Sequence, residues 1–158
     1  MGTKAKSDRQ SSTLREIGML MVTGVKDDGL LNRIADLVQK TCKYRWVGIY
    51  RICRKEFAVV GISGATKPAY PRFPVTQGIS AEVYETGKSL IVKDVSKDAR
   101  FLPNFWTTKS EIVVPIVDDE HNLVTGIINV ESAEINAFDK SDRDFLEGVG
   151  RLIWRALQ

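Results

Sequence analysis

Apolar positions along the chain follow two periods, and the switch between them outlines the fold. Residues 12–23 carry Leu14, Ile17, Leu20 and Met21 three and four apart, which predicts a helix. A second helix follows, with a face of Leu31, Ile34, Ala35, Val38 and Cys42 and with Asp27 and Asp28 as candidate caps. The period then drops to two. In residues 45–53 (RWVGIYRIC) Trp46, Gly48, Tyr50 and Ile52 share one face, and Val47 and Ile49 the other, so both faces should be covered. Residues 56–63 (EFAVVGIS) predict a second strand after an Arg54-Lys55 turn. The stretch from Gly64 to Pro74 is broken by Pro68, Pro71 and Pro74 and reads as irregular. Residues 79–87 predict a short helix stopped by Gly87, and Leu90 to Val95 a short strand. Residues 96–109 form a polar and aromatic loop. Residues 110–118 and 122–132 pair as a hairpin around the Asp118–Asn122 turn. Residues 141–157 close the chain as a helix, with Ser141 and Asp144 at capping spacing and a face of Phe145, Val149, Leu152, Ile153 and Ala156. Helices flanking strands joined by tight turns predict an α+β fold with a mainly antiparallel sheet.

A chain of 158 residues predicts one domain, here 12–158, preceded by a disordered tail over the polar residues 1–11. Apolar residues make up 43% and charged residues 27%, which excludes a mostly disordered or fibrous protein. The longest apolar runs, such as Ile112–Val117, fall far short of the roughly 18 residues of a membrane span. The N-terminus has no apolar core of a secretory signal, and two cysteines are too few for a secreted disulfide scaffold, so a cytoplasmic location is expected. Net charge is +3, and the first twelve residues hold +2 of it, so the body lacks the footprint of a nucleic-acid binder. Lys40, Lys43, Arg45, Arg51, Arg54 and Lys55, interleaved with Tyr44, Trp46 and Tyr50, read as the solvated rim of a buried strand. Neither nucleic acid nor membrane is an expected partner.

Polar residues on otherwise apolar strand faces carry the candidate chemistry. In 122–132 one face holds Val124, Ile128 and Val130; the other holds Thr125, Ile127, Asn129 and Glu131. On the preceding strand Glu111 begins a face shared with Val113 and Val117. In a sheet covered on both sides, Glu111, Asn129 and Glu131 either fray into solvent or line a polar cavity. Such a cavity would want a cationic or amine-bearing ligand, because a carboxylate is buried only when paired.

Four segments together carry a family resemblance: GISAEVYETGKSLIVKDV (78–95), SEIVVPI (110–116), GIINVES (126–132) and FDKSDRDFL (138–146). They resemble a GAF domain over about residues 28–157. The resemblance implies a six-stranded antiparallel sheet with the N- and C-terminal helices on one face and a small-molecule pocket on the other. Within that family WVGIY (46–50) and SEIVVP (110–115) are most similar to free methionine-(R)-sulfoxide reductases. The similarity implies that Trp46 and Tyr50 form an aromatic pair around the ligand, with Glu111, Asn129 and Glu131 at the carboxylate positions, one of them an amide here. It also places the reductases' three thiols at Tyr70, Ser80 and Asn104, none of which is a thiol.

Sulfoxide reduction needs a thiolate to attack sulfur and usually a second thiol to resolve the sulfenic acid. Serine cannot replace it, and no pocket cysteine is left to hold a bilin. Cys42 and Cys53 are expected to be buried small hydrophobes. His121, the one histidine, sits with Asp118, Asp119 and Glu120 in a solvated turn, so no metal and no cofactor is expected. The reading is a non-catalytic, small-molecule-binding GAF sensor for a free amino acid or small amine. Its ligand residues would be Trp46, Tyr50, Tyr70, Ser80, Asn104, Trp106, Glu111, Asn129 and Glu131, with Phe105, Trp106 and Thr107 on a lid. Two alternatives stand beside it: a reductase with a relocated Cys42–Cys53 dithiol, and a structural module. The latter would dimerise through terminal helices, where Trp154 and Leu146 lie off the expected core face. A homodimer and a partner protein for signal output are the expected assemblies.

Overall fold

In the computed structural model, which describes residues 2–23, 29–64 and 66–158, each period becomes an element that buries one face. The helices are α1 (Gly2–Val22), α2 (Leu30–Cys42), α3 (Ile79–Thr86) and α4 (Lys140–Ile153). The strands are β1 (Trp46–Cys53), β2 (Glu56–Ser63), β3 (Arg72–Pro74), β4 (Leu90–Val92), β5 (Ser110–Asp118) and β6 (Leu123–Ser132). They form one antiparallel sheet in the order β3-β2-β1-β6-β5-β4. Ile17 of α1, Ile34 and Val38 of α2, and Phe145, Val149 and Ile153 of α4 pack with Val47, Ile49, Ile128 and Val130 on one face. The opposite face carries Trp46, Tyr50, Val113 and Ile127, covered by Ile79 and Val83 of α3 and by loops. The α+β class, the six-stranded sheet and the two covered faces agree with the sequence reading. No helix among the described residues is long and apolar enough to cross a membrane.

Several local expectations need correction. Residues 2–11, read as a tail, form the first turns of α1. They are held by polar contacts that hydrophobic periodicity does not register. Lys6 Nζ lies 2.9 Å from Asp142 and Arg9 Nε donates to the Thr41 carbonyl; one turn further on, the Thr13 and Thr41 hydroxyls meet at 2.6 Å. The proline-rich segment contains β3, which pairs Arg72–Pro74 with Glu56–Ala58 at the sheet edge, where a missing proline N–H is harmless. Asp139, not Ser141, caps α4: its carboxylate accepts from the Ser141 and Asp142 amides, while Asp142 accepts from the Asp139 amide. Asp27 and Asp28 lie outside the described residues; α2 begins after Gly29 without a side-chain cap. Leu146 and Trp154 are buried in the helix-side core, so they provide no dimer surface. Val124 lies beside Gly87 after α3, because a register shift between Ile116 and Val117 breaks strict alternation at the start of β6.

The β1–β2 hairpin turns through Arg54 (φ 52°) and Lys55 (φ 64°), the left-handed region that glycine and asparagine tolerate best. Replacing the pair by Asn-Gly should stabilise the protein by about 1 kcal/mol, roughly 2–4 °C in Tm for a domain of this size. Calorimetry showing an unchanged or lower Tm would mean that the turn stores no strain.

Candidate functional site

The second face of the sheet gathers the polar residues that alternation set apart. β5 and β6 pair with Glu111 opposite Glu131 and Val113 opposite Asn129, so both carboxylates and the amide project to the same side. β1 lies next to β6, with Trp46 opposite Glu131 and Gly48 opposite Asn129. Gly48 has a packing role: a Cβ there would stand 2.2 Å from the Trp46 ring, so its absence lets the indole lie across the strand. Trp46 meets Phe105 edge-on at 5.4 Å, and Tyr50 meets Phe73 at 5.5 Å.

A cup forms over these strands. Its walls are Tyr70, Phe73, Gly78, Ile79, Ser80, Leu102, Asn104, Glu111 and Asn129. Gly78 enters α3 with φ 76°, no side chain caps the helix start, and Gly78, Ile79 and Ser80 line the cup. Asn104 closes it from above. Its Oδ1 accepts from the Tyr70 amide at 3.2 Å, and its Nδ2 donates to Glu131 Oε1 at 2.9 Å. Thr108 donates to the other Glu131 oxygen at 2.6 Å. Asn104 thereby ties both covering loops to the sheet, and the cavity of about 10 Å3 left beneath has room for about one water.

The electrostatics are those of a site short of positive charge. Glu111 is 4% exposed and Glu131 fully buried. Burial pushes Glu111 well above the ordinary carboxylate range, and the neighbouring Glu131 pushes it further. Burial also raises Glu131, but the Thr108 and Asn104 hydrogen bonds and the charge of Arg45 oppose it. No lysine or arginine lines the cup. Asn129 Oδ1 and Trp46 Nε1 are buried with no hydrogen-bond partner, an acceptor and a donor left unsatisfied. Burial and the acids hold the Tyr50 phenol in its protonated form, and its hydroxyl reaches the Tyr70 carbonyl at 3.4 Å.

Tyr70, Ser80, Asn104, Glu111 and Asn129, predicted from the sequence, meet in this cup, with Glu131 bonded to its Asn104 wall. Trp46 and Tyr50 lie beneath it in the apolar layer and do not line it. Trp106 is a correction: its side chain is 97% exposed, and Phe105 takes the inward position against Trp46. Adjacent loop residues point opposite ways, and composition does not say which of two aromatics turns in. Phe73, Gly78, Ile79, Leu102 and Thr108 were missed. The Gly78 position before a short helix was the one sequence signal among them.

Cys42 and Cys53 are partly exposed rather than buried, and neither lines the cup. Cys42 ends α2 and faces a separate cleft of about 380 Å3 with Lys6, Tyr44 and Arg45. Cys53 ends β1, a strand roughly 25 Å long at the usual rise, so the two thiols flank opposite ends of it. In the β5–β6 turn Asp118 accepts from the Glu120 and His121 amides and from His121 Nδ1, while Glu120 pairs with Arg155 at 2.6 Å. These acids have partners within the protein.

Comparison with known proteins places this geometry in a family. The family model for the GAF domain matches residues 27–158. GAF domain-containing protein A of Dictyostelium discoideum is 28% identical over 137 residues, covering 80% of this chain and 84% of that protein. The free methionine-R-sulfoxide reductase of Saccharomyces cerevisiae is 34% identical over 77 residues, 49% of this chain and 42% of that protein. Among solved structures, the Neisseria meningitidis free methionine-R-sulfoxide reductase in complex with its substrate superposes with a TM-score of 0.85 at 21% identity, covering 96% of this chain and 90% of that one. The reduced Staphylococcus aureus enzyme gives 0.81 at 22%, covering 94% and 95%. At such identities the superpositions establish the shared fold, and with the family match over most of its length, this chain belongs to the GAF domain family.

Proposed function

We propose that the cup is a non-catalytic binding site for a free amino acid or small amine. One observation carries the reading: Asn129 Oδ1, buried without a donor, stands in the same cup as Glu111, a buried carboxyl with no cation beside it. An ammonium group supplies the missing hydrogens and the missing charge together. The uncapped start of α3 at Gly78–Ser80 offers backbone N–H groups to a carboxylate on the other wall. Entry requires the Asn104 clip to open, because the closed cup is far smaller than any amino acid. Tyr70, Ser80 and Asn104 then present a phenol, a hydroxyl and an amide to the rest of the ligand.

The absence of thiols from the cup wall supports binding over sulfur chemistry, since hydroxyl and amide groups there form no sulfenic acid or disulfide. The test is thermal shift of the intact protein against the common amino acids, methionine sulfoxide and linear amines. At a concentration one hundred times the dissociation constant, a binder stabilises the fold by about 2.7 kcal/mol, several degrees in Tm. A flat response across the whole panel would remove the reading. Thioredoxin-coupled turnover of methionine sulfoxide would replace it with an enzymatic one.

A further inference from the structure

Glu111 and Glu131 face each other across the β5–β6 ladder, and like charges in that position repel at close range. Their surroundings differ. Glu131 accepts from Asn104 and Thr108, one donor to each oxygen, and lies near Arg45. Glu111 has no ion pair within 4 Å among the described residues; its one side-chain donor is the Asn129 amide, whose own buried oxygen is left unpaired. The other titratable groups acting on Glu111 and Glu131 add no cation beside Glu111. Asp98 from the covering loop is acidic and is paired with Arg100 on the same loop, and Tyr50 from β1 stays neutral. Tyr70 contributes only a phenol. Two adjacent buried carboxylates with one nearby cation cannot both be charged in the closed cup, and the proton resides on Glu111, whose one donor is the Asn129 amide, rather than on Glu131, which has Asn104, Thr108 and Asn129 as donors and Arg45 nearby.

We propose that an ammonium ligand enters this cup in exchange for the proton held at Glu111. The inference rests on the binding reading above and adds how the site is controlled. The protonated carboxyl releases its hydrogen ion to solvent buffer, the resulting carboxylate pairs with the incoming R–NH3+, and another ammonium N–H serves Asn129 Oδ1. Charge balances: one positive charge enters the cup and one leaves. Uptake is therefore weak in acid and strengthens as pH rises. A neutral analogue of the same shape has nothing to exchange.

The experiment is calorimetric titration of the intact protein with L-methionine and with n-butylamine, in phosphate and in a tertiary-amine sulfonate buffer (MES in the acid half of the range, HEPES in the upper half) at matched pH from 5.5 to 8.5. The two buffers differ in heat of ionisation, so a released proton appears as a difference in apparent enthalpy. The expected result is release approaching one proton per ammonium bound at the acid end. Affinity should rise up to tenfold per pH unit there, with no binding of 1-butanol or N-acetylmethionine. Glu111→Gln should abolish the proton release while the far-ultraviolet spectrum stays unchanged. Binding with equal heats in both buffers and a pH-independent affinity would overturn the exchange and leave the binding reading standing. No heat from either probe at any pH, with no hit in the thermal-shift panel, would overturn both.

Discussion

Glu111→Gln should make the ligand-free protein more stable at pH 8 and, in the same molecule, remove its response to amines. The side chain is nearly isosteric, so packing around Val113 and Ile127 is kept, while the burden of a buried carboxyl beside Glu131 disappears. The pH dependence has a definite sign. Glu111 is raised well above its ordinary value of 4.5 in the folded protein, so its proton is held more tightly there than in the unfolded chain. A group raised in this way contributes its full stability below the unfolded value and loses it as pH rises through the folded one. Wild type should therefore weaken relative to the glutamine variant as pH climbs from about 5 towards 8. The expected gain at the upper end is about 1–2 kcal/mol, roughly 2–8 °C. Melting both proteins across pH 5 to 8 checks this. That window avoids acid loss of the α4 cap, because Asp139 is lowered to about 2 by its hydrogen bonds to the start of that helix and contributes stability until pH falls towards that value. Equal pH slopes for the two proteins would show that Glu111 is not held protonated by its surroundings. The trade of stability for binding is what a functional carboxyl in an apolar layer predicts, whereas a structural carboxyl should cost stability when removed.

Gly48→Ala should be among the most damaging single-methyl additions in the chain. The new Cβ would fall 2.2 Å from the Trp46 ring and 2.9 Å from two more of its atoms, and Trp46 is confined by Phe105. Overpacking alone costs typically 1–3 kcal/mol, and displacing a buried indole costs more, so a loss of about 3 kcal/mol is expected, roughly 6–12 °C in Tm. The indole is also the reporter. In a Trp106→Phe background, which removes the exposed tryptophan, the emission should shift to the red as Trp46 leaves its buried site, with Trp154 constant. A stable variant with unshifted emission would show that the indole is free to tilt away and that Gly48 is not needed for the floor of the cup.

The faces of the strands were legible because a two-residue period is a strict geometric constraint. Ile128 and Val130 pack against helices, and Asn129 and Glu131 turn to the opposite side, as alternation requires. Alternation failed at Val124, where the bulge inserts one residue and reverses the faces. Periodicity found the second half of α1 but was silent on its first turns, which are held by Lys6 and Arg9 through polar contacts to α4 and α2. It also missed β3, since three residues between prolines are too few to show a period. The resemblance supplied Tyr70, Ser80 and Asn104, which no local pattern would have brought together. They come from three different segments, the loop before β3, the start of α3 and the loop before β5, and the cup is where those segments meet.

Residue order alone was enough to establish the class of fold, the sidedness of β5 and β6, and the lack of thiols at the positions of resemblance, because these depend on local spacing and residue identity. The tertiary structure decided between a polar cavity and frayed strand ends for Glu111 and Glu131. It also turned Phe105 inward and Trp106 out, and left Cys42 and Cys53 away from the cup. The physical reason is that burial, and with it charge and hydrogen-bond satisfaction, is a property of what covers a side chain. The covering groups here, Asn104, Thr108 and the start of α3, arrive from parts of the chain that carry no mark of their destination.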